Sequence, residues 1–348
     1  MAAVKSYKQL VALRFVVGIL EAGFAPGVLL ILSSWYKQEE QSKRFAVYIS
    51  AAILSGAFGG LLAGAITKNL DGAHGIRGWR WLFIVEGAAS IGWAIIAHFL
   101  LLDFPLTSQH LTQAERRLAH DRLQIRTTSI ENTDKISAGS PLRTAFRAVR
   151  QSLANPTIWL FTAGYMVIVG SSTLSYFYPT LVQGLGYTAS KAQYMTVPIY
   201  AVAFVCNALT GYFSDRVPRM RGFIISGWLM ISLACSIATV VSTNFTARYV
   251  LLVFLTAGLW STNALSLSFA SSTFVTLQQE TSVRAVSLAF VNAMGNLAQI
   301  YGAYLFPSED APKYAKGFGV VSGMCALGIA VYGSLALLGR RGRLEKRG

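Results

Sequence analysis

The sequence predicts an all-α membrane protein with about nine transmembrane helices. Of its 348 residues 53% are hydrophobic and only 13% are charged, and the charges are spaced so unevenly that long segments carry none. A helix of about 20 apolar residues matches the hydrocarbon thickness of about 30 Å. The apolar runs are long and continuous, whereas the strands of a barrel would alternate over about ten residues. Helices are therefore favoured over a barrel.

The apolar runs also divide the chain into regions. Predicted spans lie near residues 10–35, 44–67, 79–102, 156–178, 191–213, 222–242, 247–272, 284–306 and 317–339. The organisation that follows is a partial N-terminal bundle of three helices at 10–102, a cytosolic linker with amphipathic helices at 103–154, a C-terminal six-helix bundle at 155–339 and a basic cytosolic tail at 340–348.

Two helix signals lie in the linker. Thr112 followed by Glu115 is a capping box. A second helix starts with Ser140 at the cap and Pro141 in the first turn. Its apolar face carries Leu142, Phe146, Val149 and Leu153, and its arginines occupy the other side. This pattern predicts a helix along the inner membrane surface or against the ends of the bundle, the alternative being a solvated spacer.

The net charge of +15 indicates membrane orientation, not nucleic-acid binding, because Lys and Arg lie in the loops between spans. Alternate loops hold most of them, so the basic loops and the C-terminus are predicted to be cytosolic and Met1 to lie outside. Cys206, Cys235 and Cys325 fall inside spans without ligand spacing. We therefore expect no cofactor and no metal. The apolar spans predict a lipid bilayer as the partner that surrounds the chain.

Arg14 and Glu21 stand out because charge is costly inside a membrane. They lie two helical turns apart on one face, about 10 Å along the axis, and each costs about 2.5 to 3.5 kcal/mol on insertion scales. Burial disfavours the carboxylate and a nearby cation favours it, so a balance between them permits proton exchange. The alternative is that Arg14 snorkels outward and Glu21 makes a structural hydrogen bond. Glu86, in the third span, is a weaker candidate.

Small residues at four-residue spacing predict close helix packing. They are Ala52, Gly56, Gly60 and Gly64 in the second span, and Gly23 and Gly27 in the first.

A family resemblance rests on stretches along nearly the whole chain, in order: RFVVGILEAGFAPG, SSWYKQEEQSKRF, GWRWLFIVEG, NPTIWL, YPTLVQGLGYT, KAQYMTVPIYA, GYFSDRVPRMRG and NLAQIYGAYLFPSEDAPKYAKG. The chain resembles the anion:cation symporter branch of the major facilitator superfamily, and especially the fungal allantoate permease group, which carries allantoate, nicotinate, pantothenate and similar anions. The resemblance implies that residues 10–35 correspond to the fourth of twelve helices and residues 1–9 to the end of the third, with three helices missing.

The resemblance also implies roles for particular residues. Glu21 would be the proton-coupling carboxylate and Arg14 its partner or an anion contact. The other expected cavity residues are Tyr165, Trp260, Asn263, Asn292 and Asn296, although such side chains also join helices structurally. GYFSDRVPRMRG resembles the superfamily's cytosolic gating motif through Gly211, Asp215, Arg216, Arg219 and Arg221, and departs from it at Pro218 and Met220.

These observations predict a proton-coupled transporter for uptake of a small organic anion, acting by alternating access as a plasma-membrane monomer. The alternative is a truncated, transport-incompetent fragment of such a transporter. An enzyme is not expected, because the four histidines lack metal-ligand spacing and no Gly-x-Ser-x-Gly motif is present.

Overall fold

The computed structural model describes residues 1–21, 38–100, 111–116, 141–277, 281–311 and 313–340, with a few isolated positions between them. Two compact units result. The first comprises Met1–Ala52 and Leu62–Ala138, and the second comprises Ile53–Leu61 and Gly139–Gly348.

Three long helices supply most of the described part of the first unit. They are α1 (Tyr7–Glu21), α2 (Gln38–Asn69), whose middle belongs to the second unit, and α3 (Gly78–Leu100). The turn before α3 is closed by local hydrogen bonds: the Gly78 amide donates to Asp71 Oδ1 at 2.6 Å, and Trp81 Nε1 donates to the Ala73 carbonyl at 3.2 Å. No residue of α1 is buried, and Gly78 is the one buried residue of α3.

The second unit is a helical bundle. Its helices are α4 (Pro141–Ala154), α5 (Pro156–Ser172), α6 (Tyr178–Gln183), α7 (Ala189–Tyr194), α8 (Thr196–Arg216), α9 (Arg221–Val241), α10 (Phe245–Leu277), α11 (Thr281–Gly302) and α12 (Ala315–Arg340). Short 3₁₀ turns at Thr173–Phe177 and Pro218–Met220 precede α6 and α9.

Glycines opposite aromatic rings bring the helices of the second unit together. A Cβ on Gly164 of α5 would lie 2.8 Å from the ring of Tyr332, which is fully buried in α12. Gly170 of α5 faces Tyr301 of α11 in the same way. Because a hydrogen in place of a side chain lets the ring approach the backbone, these pairs fix which helices are neighbours.

The predicted glycine face of α2 is confirmed at two of its positions. A Cβ on Gly56 would lie 2.6 Å from the ring of Tyr200, and a Cβ on Gly60 would collide with Thr196. Gly23 and Gly27 lie outside the described residues.

The predicted helix caps are confirmed where the structure describes them. Thr112 N donates to Glu115 Oε2 at 2.9 Å, and Glu115 N donates back to Thr112 Oγ1 at 3.4 Å. Pro141 begins α4 as expected, while Ser140 lies outside the described residues. Asn155 caps α5 by accepting from the Thr157 amide at 3.0 Å.

Each predicted span overlaps a helix. Most of the second half of the span predicted at 10–35 lies outside the described residues, and the other predicted ends differ modestly from the observed ones. Among the described residues, six helical segments are long and apolar enough to cross a membrane. The spans predicted near 10–35, 44–67 and 284–306 are not among those six. For the second, the reason is that α2 has a shorter apolar part, Ser50–Ile66, flanked by polar residues.

Candidate functional site

Two predicted cavity residues, Tyr165 and Asn263, meet in the second unit. Tyr165 is buried in α5, and its hydroxyl donates to Asn263 Oδ1 of α10 at 3.3 Å. The Tyr165 ring lies directly against Gly295 of α11, where a Cβ would collide with it. The pair therefore joins three helices, and one weak hydrogen bond leaves much of the Asn263 amide available to another partner.

Trp260, a third predicted residue, belongs to an aromatic cluster that we define as Tyr178, Tyr200 and Trp260. The ring centroids of Tyr178 and Tyr200 are 5.5 Å apart, and those of Tyr200 and Trp260 are 6.3 Å apart, both nearly edge to face. Gly56 of α2 lies behind the Tyr200 ring. The close approach of the α2 backbone thus fixes the position of the central ring.

Two polar groups in and beside the aromatic cluster are buried with poorly aligned hydrogen-bond partners. Trp260 Nε1 and Thr256 Oγ1 are both buried, and neither has a hydrogen-bond partner of acceptable geometry among the described residues, although the Tyr178 hydroxyl faces both. A buried N–H that is left without a partner costs about 1–3 kcal/mol, so a poorly aligned one gains from a better acceptor. Indole N–H is a donor only, so a further partner of Trp260 would be an acceptor.

Asn292 and Asn296 form part of a row of amides on α11. Asn296 Nδ2 donates to Asn292 Oδ1 at 3.2 Å, and Gln299 Nε2 donates to Asn296 Oδ1 at 3.0 Å. The Tyr176 hydroxyl completes the row by donating to Gln299 Oε1 at 2.8 Å. Asn292, Asn296 and Tyr176 are exposed, and Gln299 is half-buried.

Arg14 and Glu21 both lie on α1 in the first unit, and both are exposed. Between these two described side chains the structure records no ion pair, as expected for residues about 10 Å apart along a helix. Since no residue of α1 is buried, the exposure of Glu21 does not distinguish it from its neighbours. The roles of Glu21 and Arg14 remain predictions.

The predicted gating residues lie around the turn between α8 and α9. Arg221 Nη2 lies 3.1 Å from Asp215 Oδ1, and the Asp215 side chain is 78% exposed whereas that of Arg221 is 13% exposed. The Arg216 guanidinium stacks 4.1 Å above the Tyr212 ring and donates to the Tyr212 hydroxyl. Gly211 and Arg219 are both exposed. An acid and a base flanking a turn can form and break an ion pair, so the motif has the chemistry that gating requires.

Sequence reasoning did not identify several of these polar and aromatic residues. Gln299 follows Asn292 and Asn296 at helical spacing, so the same periodicity could have identified it. No local signal identifies Tyr178, Tyr200 or Thr256, because their association depends on how α6, α8 and α10 pack.

A bundle of apolar helices long enough to cross a membrane is the architecture of secondary transporters. Comparison of the sequence with protein families agrees, because residues 1–303 match the Major Facilitator Superfamily. The chain belongs to this superfamily. The expected all-α membrane fold is confirmed, and superfamily members are transporters and not enzymes, as the sequence predicted.

Curated relatives agree with this family, and solved structures agree with the fold. The chain is 34% identical to the MFS transporter prlL of a fungus (Fungal sp.), over 93% of this chain and 63% of that protein. It is 26% identical to the high-affinity nicotinic acid transporter of Saccharomyces cerevisiae, over 92% and 57% respectively. The chain thus spans about three fifths of the length of these two relatives. The crystal structure of a bacterial homologue of the human lysosomal transporter Spinster matches with a TM-score of 0.67 and 17% identity, over 97% of this chain and 79% of that one, which supports the fold.

Proposed function

We propose that the chain takes part in proton-coupled uptake of a small organic anion by alternating access, and that the second unit supplies neutral hydrogen-bonding and ring contacts to the substrate. The observation that carries this proposal is the buried N–H of Trp260, which has no well-aligned hydrogen-bond partner among the described residues and only the Tyr178 hydroxyl facing it. This donor suits a carboxylate or carbonyl oxygen of a substrate, and the neighbouring rings suit a flat or apolar part of it.

The name of one fungal relative supports this choice of substrate class. One of them is named as a transporter of nicotinic acid, which combines an aromatic ring with a carboxylate. The described groups around Trp260 and Asn263 are neutral. For Arg14 we propose a separate role as an anion contact, since a guanidinium can bind both carboxylate oxygens.

Proton coupling is assigned to Glu21 on the argument that a carboxylate in a membrane-spanning segment is costly unless it serves an ion or substrate path. The gating role of Asp215, Arg216, Arg219 and Arg221 is proposed on the resemblance and on the ion pair that the motif forms. With the basic loops on the cytosolic side, Met1 lies outside and the C-terminus inside, in the plasma membrane.

Substrate binding is tested with Trp260→Phe, which keeps an aromatic ring and removes only the N–H. In vesicles containing the chain, we expect binding of radiolabelled nicotinate, allantoate or pantothenate to weaken about tenfold to a hundredfold, as for loss of a hydrogen bond to a charged group. Trp228→Phe is the matched control, because Trp228 Nε1 already donates to Thr210 Oγ1 at 2.9 Å within the protein. Equal effects of both variants would remove the support for a substrate role of Trp260.

Proton coupling is tested with Glu21→Gln in the same vesicles. We expect uptake driven by a pH gradient to be lost while exchange of substrate across the membrane continues, because a carboxamide accepts no proton in this range. Glu86→Gln is the control, since Glu86 is an exposed glutamate on α3. Loss of coupling in the control, or its retention in Glu21→Gln, would contradict the assignment. If the folded chain neither binds nor exchanges any of these anions, the transport-incompetent alternative is favoured.

A further inference from the structure

Helix α4 has one face packed on the bundle. Ala148 and Ser152 are buried, and Ser152 Oγ donates to the Val283 carbonyl of α11 at 3.3 Å. Ser287 Oγ of α11 lies 3.0 Å from Ser152 Oγ. This contact attaches α4 to the first turns of α11, which is one of the two positions that its amphipathic sequence predicted.

A second face of α4 is apolar and uncovered. Phe146, Val149 and Leu153 lie at helical spacing, and 77%, 43% and 38% of their surfaces are exposed. We call these three residues the apolar ridge. At 100° per residue the ridge is centred roughly 100° around the helix from the packed face, so packing on α11 does not cover it.

Trp159, near the start of α5, indicates how deep in the membrane the apolar ridge lies. Its Nε1 donates to the Leu153 carbonyl at 2.8 Å, and its ring packs edge to face on Phe290 of α11 at 5.4 Å. Tryptophan is enriched at the membrane–water boundary, where its ring is in contact with acyl chains and its N–H with polar groups. The bond from Trp159 therefore places the end of the ridge at the level of the lipid headgroups.

The charge of α4 is of one sign. The segment PLRTAFRAVRQSLA contains three arginines and no acid, and Arg147 and Arg150 are exposed on the side of the ridge away from the packed face. A basic, amphipathic helix at headgroup depth is complementary to the anionic lipids of a cytosolic leaflet.

We propose that α4 is a lipid-docking helix: the apolar ridge enters the boundary between headgroups and acyl chains, and Arg147 and Arg150 bind anionic phospholipid headgroups. A second copy of the chain is a poorer occupant, because two ridges in contact would bring like-charged arginine sets together. The proposal does not depend on the substrate or on proton coupling. It uses the proposed orientation only to identify the leaflet.

The test measures whether lipid or water surrounds the apolar ridge. The background chain carries Cys206→Ala and Cys235→Ala and keeps the buried Cys325. An environment-sensitive fluorophore is attached to the cysteine of Phe146→Cys. The matched control carries it at Gln151→Cys, an exposed position of the same helix. The whole chain is reconstituted in nanodiscs of phosphatidylcholine, with or without phosphatidylserine in both leaflets. Quenching by brominated acyl chains reports lipid contact, and quenching by iodide reports contact with water.

We expect the probe at position 146 to be quenched by brominated lipid and protected from iodide, more strongly when phosphatidylserine is present. The probe at position 151 should show the reverse. We expect Arg147→Gln and Arg150→Gln each to lower the ratio of iodide-protected to iodide-accessible fluorophore at position 146. The decrease should be about fivefold in discs with phosphatidylserine and small in discs of phosphatidylcholine alone.

Two results would overturn the proposal. Equal iodide quenching at positions 146 and 151 would show that the ridge faces water. Protection from iodide without quenching by brominated lipid would show that protein, such as a second copy, covers the ridge. A second variant set carries the fluorophore at Val149→Cys, with or without Phe146→Ser. Because Phe146→Ser removes the aromatic anchor, it should lower the quenching of this fluorophore by brominated lipid.

Discussion

Helices α3 and α5 show how differently two apolar helices can be used in one chain. Helix α3 and the segment Pro156–Gln183, which begins with α5, are both long and apolar enough to cross a membrane. None of the apolar window of α3 is buried within the structure, whereas 67% of the window in Pro156–Gln183 is buried. Hydropathy reports whether a helix tolerates lipid, and it does not report whether protein or lipid covers it.

Glycine environments separate the two helices where hydropathy does not. In α5, Gly164 and Gly170 lie against aromatic rings of α12 and α11. In α3, a Cβ on Gly87 or Gly92 would meet no atom within 4 Å. The packing of the second unit therefore depends on paired residues in different helices, one small and one aromatic, and α3 has no such pair among the described residues.

The largest expected effect comes from filling one of these pairs. Gly164→Leu places a side chain where the Tyr332 ring lies, and overpacking of this kind costs about 3 kcal/mol at the upper end of its usual range. Gly92→Leu, in α3, is the matched control and should be neutral or stabilising, since leucine is a better helix former than glycine. The free energy of unfolding in detergent or bicelles measures both changes. A similar decrease in the free energy of unfolding of both variants would show that the two glycines do not differ in how closely other helices pack on them.

A smaller effect is expected at the start of α10. Asn244 Oδ1 accepts from the amides of Thr246 and Ala247 at 2.9 and 3.3 Å, so Asn244 is the N-cap. Asn244→Ala should lower the free energy of unfolding by about 1 kcal/mol. Asn244→Asp keeps an accepting oxygen and should cost much less. Equal losses in the two variants would contradict the role of Asn244 as the N-cap.

Much of the fold was predictable because the apolar runs and caps are local signals. The capping box at Thr112 and Glu115, the start of α4 at Pro141 and the glycine contacts of Gly56 and Gly60 all follow from spacing along a helix. The positions of spans were predictable for the same reason.

The candidate site was only partly predictable because it depends on tertiary packing. Tyr165 and Asn263 are far apart in sequence, and each was identified separately, but nothing local shows that they meet. Tyr178 and Tyr200 were missed because only tertiary packing brings their rings into one cluster with Trp260. The amphipathic pattern of α4 predicted an apolar face but not which residues pack on the bundle, and Phe146 lies outside the packed face.

The ion pair of the gating motif should contribute little to stability. Asp215 is largely exposed, so solvent screens its attraction to Arg221, and Asp215→Asn should change the free energy of unfolding by less than about 1 kcal/mol. The change should shrink further in high salt. Arg219→Gln, at an exposed arginine of the same turn, is the control. A loss of several kcal/mol would show that the pair holds α8 and α9 together and is not a reversible contact.

The smallest expected effect lies in the first unit, at the capping box. Hydrogen bonds from the backbone and hydroxyl of Thr112 lower the pKa of Glu115 below its usual value of 4.5. A lowered carboxyl pKa stabilises the first turn above pH 4.5, and this contribution is lost as the pH falls through the lowered pKa. Thr112→Val removes the hydroxyl but keeps the amide, so the pKa of Glu115 should rise only part of the way towards its usual value. The control Gln113→Ala should leave the pKa of Glu115 unchanged. NMR titration of ¹³C-labelled glutamate carboxyls in the full chain measures these values. A Glu115 that titrates at its usual pH in the unaltered chain would contradict the capping-box geometry, and with it the local order assigned to this exposed part of the first unit.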